Sequence, residues 1–159
     1  MEARVLIVAV GDPTAGKDAV GPLILDELRR GRLPPRVRAY ALGRRPDRLV
    51  DLVAGEETTP PGALIILDAV TSRTEAPGNV VERELRPYPE RPGALSSHGG
   101  AVGEALGLMR IALGDRAPRK TMVVGVTVGE DVRGPLTGVI RDAIPGAADR
   151  VREVLRLLA

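Results

Sequence analysis

Apolar residues in this chain concentrate in three nearly continuous runs: "RVLIVAVG" (Arg4 to Gly11), "ALIILDAV" (Ala63 to Val70) and "TMVVGVTV" (Thr121 to Val128). A strand covered on both faces reads this way, whereas a strand with one wet face alternates. "NVVERELR" alternates weakly, as an exposed or antiparallel edge strand does, and "RVRAYALG" reads as a further strand. Helical spacing fills the gaps. Val20, Leu23, Ile24 and Leu28 share a face in "DAVGPLILDELRRG", with Pro22 acceptable only in a first turn. "PDRLVDLVAG" predicts a helix from Pro46 to a stop at Gly55, and Val102, Leu106, Met109 and Leu113 place another over Ala101–Leu113. Arg86 to Gly100 reads as loop from its Pro, Gly and Ser. "LTGVIRDAI" and "GAADRVREVLRLLA" form one or two helices, with Pro145 as a break or restart. Ala147, Val151, Val154, Leu155 and Leu158 make the buried stripe of the last one. Strands alternating with helices predict an α/β fold: a mostly parallel sheet flanked by helices in three layers, one domain over residues 1–159.

Composition narrows the chemistry. The chain has two Tyr and neither Phe nor Trp, so its core is aliphatic and it lacks the stacking surface that single-stranded nucleic acids need. Its 23 basic and 21 acidic residues nearly cancel, and the basic ones, mostly Arg, are spread out without a polybasic run. Neither a nucleic-acid nor a membrane partner is expected. With no cysteine, thiolate metal sites, disulfides and a Cys nucleophile are excluded. No apolar run approaches the length of a membrane span, and a strand beginning at Arg4 leaves no room for a signal peptide, which predicts a cytoplasmic protein.

In open α/β sheets ligands bind beyond the carboxyl ends of the strands. That rule selects Asp12, Lys17 and Asp18 after the first strand, Asp68 at the end of "ALIILD", His98 in "SSHGG", and Glu130 and Asp131 after the last inner strand. "GDPTAGKDAVG" half-matches a phosphate-binding loop: Gly11, Gly16 and Lys17 fit G-x-x-x-x-G-K-[ST], and "LIILD" resembles the strand whose Asp holds magnesium. Asp18, however, replaces the hydroxyl and brings a negative charge to the phosphates, while Pro13 removes a backbone N–H. Alternatively Asp18, Asp68 and His98 form an O,O,N donor set suited to Ni²⁺, Zn²⁺, Mn²⁺ or Co²⁺, with positions left open for water or substrate. Each residue also has a plainer role: Asp18 as a helix cap, Asp68 bonded to a neighbouring turn, His98 as a surface residue.

Four ordered segments resemble the hydrogenase maturation proteases, the endopeptidases that process the large subunit of nickel–iron hydrogenases. "VAVGDPTAGKDAVGPLILDEL" resembles that family's opening strand, acidic Gly-rich loop and first helix, and "ALIILDAV" its strand ending in a metal-binding Asp. "LSSHGGAVGEALGLM" resembles the L-S-x-H segment and following helix, and "VVGVTVGEDVRGPLTGVIRDAIPGAADRVREVL" the closing strand, loop and helices. Residue by residue, the metal-contacting positions fall on Asp18, Asp68 and His98. The resemblance implies an endopeptidase whose partner is a hydrogenase large-subunit precursor. Nickel supplied by that substrate would be sensed by these side chains, Asp18 and Asp68 would serve catalysis, and a water would be the nucleophile. Another divalent metal could occupy the isolated protein. The alternatives are a non-catalytic homologue that binds metal or precursor, and a degenerate phosphate loop that binds nucleotide. This chain departs from the family at Lys17 (usually an acid), Asp12 (usually Asn), Gly99 (often Gln) and "ALGR", Ala41 to Arg44, in place of a D-G-G-T-like turn. Lys17 could pair with Asp12 or hold a substrate carboxylate.

Overall fold

The computed structural model describes residues 4–55, 61–85 and 99–158. All three apolar runs are strands at the centre of one sheet: β1 (Val5–Val10), β3 (Ala63–Thr71) and β5 (Lys120–Gly129). β2 (Val37–Gly43) and β4 (Val80–Leu85) close its two sides, in the order β2-β1-β3-β5-β4. Every pairing is parallel except β4 with β5. The weak alternation of "VVEREL" is thus the mark of an antiparallel edge strand, as its pattern predicts.

Alternate residues of the inner strands feed two separate cores. Ile7, Ile65 and Val124 face α1 (Val20–Arg30) and α4 (Gly138–Leu157). Leu6, Ile66 and Val123 face α2 (Leu49–Ala54) and α3 (Gly99–Leu113). Since both faces are covered by helices, these strands have no use for a polar alternation. Pro22 falls in the first turn of α1, where its missing N–H costs nothing. Helix α3 begins at Gly99, two residues ahead of the expected Ala101, and the remainder of the expected loop, residues 86–98, lies outside the described residues.

Pro145 does not break the final helix: α4 runs unbroken from Gly138 to Leu157. A mid-helix proline costs about 3 kcal/mol. Ile140 and Ile144, 0% and 6% exposed, lie in the same core as Ala147 and Val151 beyond the proline. Burying two such side chains contributes roughly 1.5–3 kcal/mol each, which together matches or exceeds the proline's cost. Packing therefore overrides the local signal.

Candidate active site at the β1–β3 crevice

From β1 the chain returns through α1 to β2 on one side, while β3 lies on the other, so the sheet order reverses between β1 and β3. Their carboxyl ends form the crevice where an open α/β sheet binds its ligands. Helix α1 enters this crevice closely enough that a Cβ on Gly21 would run into the backbone carbonyl oxygens of Val10 and Leu67. Only glycine fits there. A 3-10 turn, Gly16–Ala19, precedes the helix and packs on β3, which brings Asp18 towards the strand that carries Asp68.

Between β1 and that turn the loop folds onto its own polar groups. The Asp12 N–H donates to Asp18 Oδ2 at 2.9 Å, and Asp12 Oδ1 accepts from both the Thr14 N–H at 2.8 Å and the Thr14 hydroxyl at 2.7 Å. The Ala15 N–H donates to the Asp12 carbonyl at 3.2 Å and the Asp18 N–H to the Ala15 carbonyl at 3.0 Å. Two longer-range bonds tie the loop to its neighbours: Gly11 N–H to Gly43 carbonyl at 2.8 Å, and Lys17 N–H to Gly134 carbonyl at 3.3 Å. Gly11 has φ 126°, and a Cβ there would collide with the Asp18 carbonyl oxygen, so the tight closure requires glycine.

This bonding pattern decides against a phosphate cradle. A phosphate-binding loop works by aiming several free backbone N–H groups at one anion. Here the N–H groups of Gly11, Asp12, Thr14, Ala15, Lys17 and Asp18 are spent on protein oxygens, and Pro13 has none.

Asp18 is 4% exposed and does not cap α1: that helix has Ala19 at its N-cap and no side-chain cap bond. Its carboxylate instead takes the Asp12 N–H and faces Arg44, whose Nε lies 3.5 Å from Asp18 Oδ2. The same guanidinium reaches Asp12, with Nη2 3.5 Å from Oδ2. Two loop carboxylates thus share one cation delivered from the end of β2. The Thr14 N–H, the Thr14 hydroxyl and Arg44 together hold the Asp12 carboxyl below its ordinary value. Asp12 therefore pairs with Arg44 and not with Lys17, whose side chain runs the other way, towards Gly129 at the end of β5.

Asp68 is fully buried, its Oδ1 accepting the Ala69 N–H at 2.8 Å. It takes the place of an aliphatic residue in the row Leu64, Ile66, Val70, on the face covered by α2 and α3. A carboxylate at such a position is costly to hold, which makes Asp68 a candidate for chemistry. His98 lies outside the described residues; the helix it precedes, α3, covers the sheet face that bears Asp68. Asp131 accepts the N–H of Arg133 at 2.8 Å in an exposed turn, and Glu130 is exposed beside it.

The described carboxylates supply only part of a donor set for a divalent cation. Among the described residues no three His, Cys, Asp or Glu form a ligand cluster, and with His98 outside them the described donors are the carboxylates Asp18 and Asp68. Hard oxygen donors of this kind are what such ions take. The guanidinium over Asp12 and Asp18 is itself a positive charge held at that position. Thr14 has no signal in the sequence, and Arg44 stands there only as the last residue of the departing "ALGR" turn. The strand-end rule, applied also to the strand beside β1, would have found Arg44, since it follows Gly43 directly.

Solved structures that share this fold include hydrogenase maturation endopeptidases. The hydrogenase-maturating endopeptidase HybD from Escherichia coli is 25% identical, with a TM-score of 0.78 over 96% of this chain and 92% of its own. The [NiFe] hydrogenase maturation protease HycI from Thermococcus kodakarensis KOD1 is 19% identical, with a TM-score of 0.74 over 98% and 94%. HybD from Thermococcus kodakarensis is 22% identical, with a TM-score of 0.72 over 95% and 98%. No protein-family model and no curated protein sequence matches the chain.

Proposed function

We propose that this protein is an endopeptidase that removes a C-terminal extension from a nickel-loaded hydrogenase large-subunit precursor. The observation that carries the reading is the pair of carboxylates, Asp18 and Asp68, at the β1–β3 crevice of a fold shared along nearly its whole length with hydrogenase-maturating endopeptidases. The nickel is part of the substrate. Asp18, Asp68 and His98 are the side chains that would contact it, so that docking depends on a loaded precursor: an empty one lacks the bridging charge. Nickel there would supply a positive charge that polarises what it touches. The protein's own part is to hold two carboxylates in fixed positions, Asp18 by the Asp12 N–H and Asp68 by the Ala69 N–H. Either carboxylate can accept a proton from an attacking water.

Nickel-loaded precursor incubated with the protein, followed by mass spectrometry of the precursor's C-terminus, tests this reading. Release of a C-terminal peptide is expected. An intact C-terminus on a precursor that nevertheless binds would identify a non-catalytic binder. The closed N–H pattern of the Gly11–Asp18 loop leaves the nucleotide reading without support.

A further inference from the structure

Strand β2 forms one side of the sheet, and its hydrogen-bonding direction follows from one contact. The Val5 N–H donates to the Arg36 carbonyl at 3.2 Å, and the register then runs Val5 with Val37, Leu6 with Arg38 and Val8 with Tyr40. Backbone groups of Arg36, Arg38 and Tyr40 therefore face β1, and those of Ala39 and Ala41 face outward. Arg29 bears this out by reaching from α1 to donate to the Ala39 carbonyl at 3.1 Å.

The chain around this edge is strongly basic. Residues 32–48 carry six arginines and a single carboxylate, Asp47, in a protein whose basic and acidic residues otherwise nearly balance. Asp47 is already clasped by Arg45, at 3.0 and 2.8 Å. Arg38 is exposed on the strand, and Arg32 and Arg48 are exposed near its two ends. Six of the chain's 21 arginines thus lie in this one segment, on the strand and in the turns that flank it. The opposite edge, β4, is mixed, with Arg83 between Glu82 and Glu84. Because β2 is parallel to β1, it leads straight to the site: the Gly11 N–H bonds the Gly43 carbonyl, and the next residue, Arg44, lies over Asp12 and Asp18.

We infer that the outer edge of β2 is a docking strand for an extended acidic segment of the protein substrate. Backbone groups of that segment pair with the Ala39 N–H and with Ala41, its carboxylates meet Arg38 and the flanking arginines, and its end enters the β1–β3 crevice. The inference rests on the endopeptidase reading, which supplies a protein substrate. A second copy of this chain fits poorly, since edge-to-edge pairing of β2 would bring one set of arginines against another. Nucleic acid is disfavoured by the lack of aromatic side chains on which bases stack.

The test uses a fluorescent peptide of about ten residues, a strand's length, with Val and Glu alternating. Its binding is followed by anisotropy without any cleavage. Saturable binding is expected, weakened by about tenfold or more when Gln replaces Glu or in Arg38→Glu, and equally in Ala41→Pro. The Ala41 N–H points away from β1, so proline there removes only an edge donor and the fold is retained. Processing of a precursor by Arg38→Glu should show a raised KM and an unchanged kcat. Peptide binding that Ala41→Pro leaves intact would overturn strand pairing. Binding of an oligothymidylate but not of the peptide, or dimerisation abolished by Ala41→Pro, would overturn the choice of occupant. The two readings fail separately: peptide binding with no precursor cleavage leaves the docking strand and removes the endopeptidase, and cleavage with no peptide binding does the reverse.

Discussion

The backbone N–H of Asp12 donates to Asp18 Oδ2 at 2.9 Å, closing a seven-residue loop onto that carboxylate. The bond fixes the orientation of Asp18 and spends an N–H that a phosphate loop would leave free. Asp18→Ala strands that N–H in a partly buried position, so the fold should lose about 1–3 kcal/mol of stability, measured by urea denaturation. Asp18→Asn retains an acceptor oxygen and should lose less than half as much. Equal losses in the two variants would show that the bond contributes nothing.

Arg44 neutralises Asp12 and Asp18 from an exposed position, its side chain 64% accessible. Exposed ion pairs contribute little, about 0.2–1 kcal/mol. Arg44→Gln should therefore tighten binding of Ni²⁺ to the isolated protein by no more than about fivefold, read by calorimetry. Weaker binding in the variant would mean that Arg44 supports the ion instead of competing with it.

Thr14 is the main reason the Asp12 carboxyl titrates below its ordinary value of 3.8. A carboxyl depressed in the folded state adds stability at pH above its unfolded value, and that addition is lost as pH falls through the lower folded value. Thr14→Val removes the hydroxyl bond and keeps the backbone one. The Asp12 midpoint, followed by carbon-13 NMR, should move up towards 3.8 without reaching it, and Asp12's share of acid resistance should shrink. A midpoint that stays put would assign the depression to the backbone N–H and Arg44 alone.

Gly21 lies where α1 touches the carbonyl oxygens of Val10 and Leu67, backbone that cannot rotate away. Gly21→Ala should cost about 1–3 kcal/mol as an overpacked contact. It should also lower processing, since α1 and the turn bearing Asp18 must shift together. Circular dichroism melts and a processing assay on the same variant check both effects; unchanged values in both would contradict the close approach.

Much of this fold is written in the local pattern. Unbroken apolar runs identify β1, β3 and β5 because both sheet faces are covered, and the weak alternation of Val80–Leu85 identifies an edge. Asp68 stands out for a related reason: it is a lone carboxylate in an aliphatic strand. What the pattern misses depends on partners distant in sequence. The loop's N–H groups find Gly43 and Gly134, and Arg44 reaches two carboxylates from a neighbouring strand; neither has a local signature. Pro145 misleads because burial of Ile140 and Ile144 offsets a penalty that is local.

The central claim is the proposed role of Asp18 and His98 in precursor processing. Its most direct test compares wild type, Asp18→Asn and His98→Ala on nickel-loaded precursor, with the released C-terminal peptide counted by mass spectrometry and the fold of each variant checked by circular dichroism. Release by wild type only, from variants that remain folded, is the expected result. Undiminished release by both variants would contradict the site.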